Sequence, residues 1–285
     1  MAVHHVDWRH NPKGEQQVLT GIGVAGCGRM GAPMLAALRA AGFDAIGYDV
    51  RASGDFDGLG LEMVTKEVFS QNLRTLITVV RDISQTEDVL FGAQSFSQAP
   101  HLETVIVSST LSPRYVRDLR ERLPEKITLI DAPMSGAAIA AKEARLSFML
   151  GGDEDALDKH QPLFDAMGAH FHRMGTFGAG MQAKVLNNLL AASHTAMTRL
   201  VLDWADDAGL DEDKLLSLIH TSSGQNWFAS GFEDIEFARD GCAEDNSIGI
   251  LVKDVASALD AAPTSADTTL PETVQGAIRA LKPRK

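Results

Sequence analysis

Lys184, Asn187 and Asn188 interrupt an otherwise apolar stretch that includes Met181, Ala183, Val185, Leu186, Leu189 and Leu190. On a helix, the i, i+4 spacing of Lys184 and Asn188 and the i, i+3 spacing of Lys184 and Asn187 put an ammonium and a carboxamide on one face. Polar groups retained in such surroundings need partners or a task, because burying them unpaired costs free energy. A lysine kept in that setting points to a functional site. The same residues also admit a structural reading, a solvated lysine beside an asparagine pair that bonds a neighbouring loop.

A second group of residues suits phosphate. Gly26-Cys27-Gly28-Arg29-Met30-Gly31 is a G-x-G-x-x-G that follows a short apolar run and opens a helical-period stretch. At a strand-to-helix turn the first glycine allows the tight turn, the second lets a pyrophosphate approach the backbone, and the third lets helix and strand pack closely. The free N–H groups of the helix start then face the phosphates. Asp49, 18 residues beyond Gly31, ends the next apolar run. A carboxylate there can accept an adenosine ribose hydroxyl. Asp49 favours NAD, since a 2′-phosphate beside it meets an uncompensated like charge. Arg51, just past the strand, can accept that phosphate and keeps NADP open.

The elements that must hold these groups follow from periodicity. Short apolar runs at 18–25, 45–48, 75–80, 104–107, 127–130, 147–150 and 170–173 alternate with helical-period stretches such as 32–41 and 113–122. That rhythm predicts a parallel sheet with right-handed crossovers. Beyond Gly180 the strand signal stops. Residues 181–208 read as one long helix ended by Gly209, with further helices at 211–219, 248–262 and 271–281. The fold class is therefore α/β, an N-terminal Rossmann dinucleotide-binding domain at 18–178 followed by an all-α domain at 179–285. Residues 1–17 form an aperiodic tail. His4, His5 and His10 in that tail lack companion ligands and read as frayed chain.

Composition narrows the function. With 45% hydrophobic and 22% charged residues, the 285-residue chain is neither collagenous, coiled-coil nor disordered. Its formal charge of −12 repels a nucleic acid duplex or an anionic membrane. Two cysteines, Cys27 and Cys242, exclude a disulfide framework, and no apolar run approaches the length of a membrane span; both point to the cytoplasm. The acidic run Asp203, Asp206, Asp207, Asp211, Glu212 and Asp213 reads as a solvated surface, and His194 as a satisfied core or interface histidine. No metal site is expected.

Several blocks together resemble the β-hydroxyacid dehydrogenases, the group containing 3-hydroxyisobutyrate dehydrogenase, tartronate semialdehyde reductase and, more distantly, 6-phosphogluconate dehydrogenase. They are GCGRMGAPM at 26–34, STLSP at 109–113, DAPMSG at 131–136, GAGMQAKVLNN at 178–188 and the pair Lys253-Asp254. The resemblance implies an NAD- or NADP-dependent oxidoreductase that moves a hydride between nicotinamide and a small 3-hydroxy acid, 3-hydroxyisobutyrate-like or glycerate- and tartronate-semialdehyde-like. It implies that Lys184 exchanges the hydroxyl proton, with Asn188 orienting it and Ser135 and Gly136 taking the substrate carboxylate. Thr110 and Lys253 correspond to contacts near the nicotinamide, and Val80-Arg81 ends a strand that lines the dinucleotide. Trp227 lies in a stretch, SSGQNWF, that in relatives approaches the substrate mouth. A homo-oligomer, dimer or tetramer, is expected from the apolar length of the long helix.

Two departures stand out. The relatives' substrate loop carries glycines where this chain has Ala137, Ala140 and Ala144, and methyl groups there predict loss of positive φ and a more helical loop or smaller pocket. The chain also ends in Ala-Leu-Lys-Pro-Arg-Lys, short of the relatives' last segment, so part of the closing layer or of a subunit interface is expected to be missing. Two other functions compete. An imine reductase of the same fold generally replaces the lysine, and a non-catalytic dinucleotide-binding protein would show no turnover. A sugar-phosphate substrate would need several basic residues, and the helical region supplies few.

Overall fold

Runs of four residues with no polar face make strands that are buried on both sides. Ile22–Ala25, Thr75–Thr78 and Thr104–Val107 are buried throughout, as the centre of a parallel sheet requires. A computed structural model describes residues 19–284 except Asp245. The N-terminal histidines therefore lie outside the described residues. The order is β1 (Ile22–Ala25), α1 (Gly31–Ala40), β2 (Ala45–Tyr48), α2 (Lys66–Asn72), β3 (Thr75–Thr78), α3 (Ile83–Leu90), β4 (Thr104–Val107), α4 (Pro113–Arg122), β5 (Thr128–Asp131) and β6 (Met134–Ser135). It continues through α5 (Ala137–Lys142), β7 (Leu146–Gly151), α6 (Glu154–Met167) and β8 (Gly168–Gly175) to the helical region, α7 (Ala179–Asp207), α8 (Glu212–Thr221), α9 (Trp227–Ser230), α10 (Ser247–Asp260) and α11 (Thr269–Arg279).

Among the described residues eight strands form one sheet, ordered β2-β1-β3-β4-β5-β7-β6, with β8 also paired to β7. β1 to β5 are parallel, β7 runs antiparallel to β5 and β6, and β8 returns parallel to β7. The strand order reverses at β1, which has β2 on one side and β3 on the other. This places a crevice at the carboxyl ends of β1 and β3, where ligands of open α/β sheets bind. Sequence periodicity yields seven strands; the eighth, β6, has two residues and no pattern of its own.

Helix starts are set by side chains that satisfy the first N–H groups. Ser112 caps α4 with Pro113 following, Asp153 caps α6, Asp211 caps α8 and Asn246 caps α10. In the helical region, α7 forms the spine against which α10, α11 and α9 pack.

The C-terminal segment is fastened to the rest of the helical region. Arg199, wholly buried on α7, donates to the carbonyls of Ala238 (2.8 Å), Asp240 (2.8 Å) and Lys282 (2.5 Å). Cys242 N–H donates to Leu281 (2.9 Å), and Arg284 N–H to Arg239 (2.7 Å). The acidic run is likewise more than a solvated face. Asp203, Asp206 and Glu212 surround the guanidinium of Arg284, whose side chain is 8% exposed. The shared ion cluster lets one arginine hold both the end of α7 and the start of α8. His194 also differs from expectation, since its Nδ1 is buried and finds no hydrogen-bond partner among the described residues.

Candidate active site

The glycine loop fills the turn from β1 to α1. Gly26 takes φ +92°, and a Cβ there would lie 2.6 Å from the Val79 carbonyl oxygen and 2.7 Å from Val80. A Cβ on Gly31 would run into the carbonyl of Gly26, so helix and turn can close only around glycine. In front of Gly28 there is open space. Helix α1 has no side-chain cap and no acidic residue in its first turn, and no described group accepts the N–H of Gly28, Arg29 or Met30. An open face with uncommitted N–H groups at a helix start fits a pyrophosphate. Val80 N–H donates to Ser109 Oγ (2.9 Å), which ties the end of β3 to the loop after β4, and Arg81 N–H donates to Gln85 (3.0 Å) on α3. Arg29 reaches across to the helical region, towards Ser247 Oγ (3.3 Å) and Glu236 (3.4 Å).

At the end of β2 the structure alters the electrostatic argument. Asp49 accepts the N–H of Cys27 (2.8 Å) and of Arg51 (3.1 Å), and the Arg51 guanidinium forks onto both of its oxygens at 3.0 and 3.1 Å. Burial alone would raise the Asp49 pKa, but the bonds and charge of Arg51 outweigh it and hold the carboxyl below its ordinary value. The charge of Asp49 is thus compensated by its own neighbour. Arg51 also stands over the ring of Phe56, 4.7 Å from its centroid. Cys27 is a buried thiol pushed up to about 12 by burial and then by Asp49, which makes it unreactive filler.

The amine sits where the two regimes of secondary structure meet. α7 begins against the end of β5, where buried Asp131 accepts the N–H of Gly178 (2.7 Å) and of Met181 (2.5 Å). Burial pushes Asp131 up to about 6, against those two bonds, which favour its charged form. Gly180 packs so close to β7 that a Cβ would run into the carbonyl of Met149. This anchorage fixes Lys184 in the second turn of α7, 6% exposed and making no hydrogen bond to any described residue. Burial pulls its pKa down to about 8, with Asp254 opposing and Lys253 assisting that shift.

Asp254, 3% exposed on α10, is the hub of the surrounding contacts. It accepts Asn188 Nδ2 at 2.6 Å and lies 2.8 Å from Lys253 Nζ, which donates to the carbonyl of Thr110 at 2.7 Å. Asn188 in turn accepts from Asn187 at 3.3 Å. One N–H and one oxygen lone pair of Asn188 remain for a ligand. The same seam is closed by Ser112 bonding Asp260 and by Arg114 donating to the carbonyl of Ala262 (3.2 Å). Lys184, Asn188, Lys253 and Thr110 are therefore brought together. The sequence reading quoted Asp254 beside Lys253 but gave it no role, and Asp131 none either; an acid next to an expected site lysine was the available signal.

Ser135, Gly136 and Asn187 line a cavity of about 470 Å³ whose lining includes neither Lys184 nor Asn188. The loop after Ser135 is helical over Ala137–Lys142, but the expected loss of positive φ does not occur. Ala137 and Ala144 keep positive φ, 54° and 51°, although they are alanines. Ala140 and Ala141 are buried in the core that α1 also enters, so the loop's methyl groups gain apolar contacts that offset the strain. Left-handed backbone costs an alanine about 1 kcal/mol or more, so Ala137→Gly and Ala144→Gly should each raise the unfolding free energy by about 1 kcal/mol. A higher denaturant midpoint at unchanged slope reads this; an unchanged or lower midpoint would mean that the loop is not held in that conformation. Trp227 stands 41% exposed on α9, its ring in edge contact with Phe228 at 5.4 Å, and does not line this cavity.

Two family models match consecutive stretches of the chain. The NAD binding domain of 6-phosphogluconate dehydrogenase matches residues 21–177, and the NAD-binding model of NADP-dependent 3-hydroxyisobutyrate dehydrogenase matches residues 178–283. L-Threonate dehydrogenase of Cupriavidus necator is 30% identical over 85% of this chain and 83% of its own length. Human mitochondrial 3-hydroxyisobutyrate dehydrogenase is 28% identical over 86% of this chain and 76% of its own. Among solved structures, 3-hydroxyisobutyrate dehydrogenase from Salmonella typhimurium superposes with a TM-score of 0.77 at 23% identity, covering 90% of this chain and 92% of the other.

Proposed function

The chain belongs to the β-hydroxyacid dehydrogenase family, and from that premise we propose that it transfers a hydride between a nicotinamide cofactor and the carbinol carbon of a small 3-hydroxy acid, with Lys184 exchanging the hydroxyl proton. The observation that carries the reading is the buried amine itself. Lys184 has its basicity lowered to about 8 by burial and has no bond to any described residue, so its proton is free to move to or from a bound oxygen. Bound along the glycine loop, the nicotinamide cofactor supplies or accepts the hydride. Asn188 orients the lysine and the substrate, held in turn by Asp254. Ser135 and the N–H of Gly136 receive the carboxylate. Lys253 holds the loop at Thr110 beside the reacting end. The two relatives named above act on threonate and 3-hydroxyisobutyrate, and the substrate range follows that pattern. Purified protein with NAD or NADP and a panel of 3-hydroxy acids should generate reduced nicotinamide, read by its absorbance. Tight cofactor binding without turnover of any hydroxy acid or aldehyde acid would leave a binding protein instead.

The choice between the two cofactors rests with Arg51. A ribose diol must displace the arginine from Asp49, whereas a 2′-phosphate can meet the same guanidinium. A charge-assisted hydrogen bond contributes roughly 1.5–3 kcal/mol, so Arg51→Ala should shift the ratio of NAD to NADP dissociation constants towards NAD by about tenfold or more. Calorimetric titration of both cofactors tests this, and an unchanged ratio removes Arg51 from the site.

We place the boundary between the two domains at residues 178 and 179, one residue beyond the junction of the two family models at 177 and 178. The protein acts as a homo-oligomer through α7. Leu186, Leu190, Met197, Leu200 and Trp204 recur along one face of that helix at spacings of four, seven, three and four residues, all exposed, and a second copy offers the same apolar stripe. Light scattering should return a multiple of the chain mass, and a monomer would remove the assignment. No described helix is long and apolar enough to cross a membrane. The two free cysteines suit a reducing cytoplasm, which fractionation of the source cells would test.

A further inference from the structure

We propose that the cavity beside Ser135 receives a second anionic group, so that the substrate is a 3-hydroxy acid carrying a further carboxylate or phosphate. This rests on the reading above, in which Ser135 and Gly136 take the first carboxylate. The pairing of the three last strands decides which side chains the cavity presents. Met134 and Ser135 on β6 pair with Phe148 and Ser147 on β7, and β7 in turn places Ser147 opposite His170 and Met149 opposite His172 on β8. Strand residues two apart share a face. Leu146, Phe148 and Leu150 therefore point into the core, while Ser135, Ser147 and His170 form one polar row on the other face, with His172 beside it.

That row lines the cavity together with Arg145 and Asn187, and among its described lining residues there is no carboxylate. A chain of net charge −12 thus presents one arginine, two imidazoles and two hydroxyls in a single concavity. Arg145 is already paired with Glu143, outside the cavity, but through Nε. Its two terminal nitrogens bond to no described residue, and they are the donors that recognise planar carboxylate or phosphate oxygens. Imidazole and hydroxyl donors suit the remaining oxygens. The basic residues that the helical region lacks are supplied by the edge of the sheet. A cavity of about 470 Å³ also exceeds what a four-carbon hydroxy acid fills, and lies within the size of ordinary ligand sites.

Matched substrates test the proposal: 3-hydroxyisobutyrate against 2-(hydroxymethyl)butanedioate, and threonate against 4-phosphothreonate. In the parent protein at least one doubly anionic member should show kcat/KM about thirtyfold above its singly anionic partner, and which member does so distinguishes carboxylate from phosphate. Arg145→Gln and the pair His170→Gln with His172→Gln should each lower that value about tenfold, chiefly through KM, and leave the singly anionic partner within about twofold. Equal or better turnover of both singly anionic acids overturns the proposal, as does an equal loss on both members of a pair. If no compound turns over, the dehydrogenase reading fails by itself. Calorimetric binding of the same compounds in the presence of cofactor then decides for the cavity: preference for the doubly anionic compounds, lost in Arg145→Gln, sustains it, and equal or absent binding overturns it.

Discussion

Replacing Lys184 by methionine should reduce kcat by about three orders of magnitude, within the range general acid–base groups contribute, while NAD and NADP bind within about twofold of the parent. The side chain is buried on α7 and makes no hydrogen bond to a described residue, so methionine keeps its length and apolar stem without orphaning a partner. Exchange of a buried charge for an apolar group of similar volume is commonly neutral or stabilising, so the fold should survive. Asp254 keeps Asn188 and Lys253 as partners.

The pH profile supplies a second readout. Oxidation needs the neutral amine as base, so kcat/KM in that direction should rise with pH through about 8, the value to which burial pulls Lys184. Reduction needs the ammonium as acid, and its rate should fall through the same region. Retained turnover in the methionine variant, or profiles of the same sign in both directions, would remove the lysine from the chemistry.

The other large effect is expected at Asp131. Its carboxylate satisfies two N–H groups at the start of α7, those of Gly178 and Met181, and it is itself 0% exposed. Asp131→Ala orphans both donors in a buried position and should cost roughly 3 kcal/mol of stability. For a chain of this size that lowers the melting temperature by roughly 5–10 °C. Because α7 carries Lys184 from that anchor, the variant should also lose kcat.

The sign of the pH dependence follows from the direction of the shift. Folding raises the Asp131 pKa from 3.8 to about 6, so the native state binds this proton more tightly than the unfolded chain does. The resulting stabilisation is complete below the unfolded value and lost as pH rises through the folded one, a change of roughly 3 kcal/mol. Asp49 and Glu87, held below their ordinary values, act in the opposite sense over neighbouring pH. The informative curve is therefore the parent minus Asp131→Asn. That difference should fall between about pH 4 and pH 6, and a flat difference would mean that the carboxyl titrates alike in both states. Asparagine offers one acceptor oxygen for two donors, so the loss it causes should lie between parent and alanine.

How much of this was legible from the chain depends on the range of the interaction. Strands at 45–48 and 104–107 have the same bounds in sequence and structure, and α7 differs from the periodicity reading by two residues at its start and one at its end. Burial on both faces writes continuous apolar runs, and a helix of many turns writes a long period; both survive in a single sequence. β6 left no such trace, since two residues carry no period and become a strand only through β7. The left-handed conformations of Ala137 and Ala144 ran against the residue type, because buried methyl contacts elsewhere in the loop outweigh a local preference.

The site divides along the same line. Residue types and spacing alone determined the glycine turn between β1 and α1, the lysine–asparagine face and the alternation that makes a Rossmann sheet, because each depends on neighbours within one turn or one strand. Only the tertiary structure decided that Asp254, 66 residues from Asn188, holds it, that Asp131, 47 residues from Gly178, anchors the helix, and that Arg51 neutralises Asp49. It alone aligned Ser135, Ser147 and His170 on one face. Such contacts join residues whose separation along the chain carries no information about their distance in space, and burial, which sets the strength of every charge involved, exists only once the chain has closed around them.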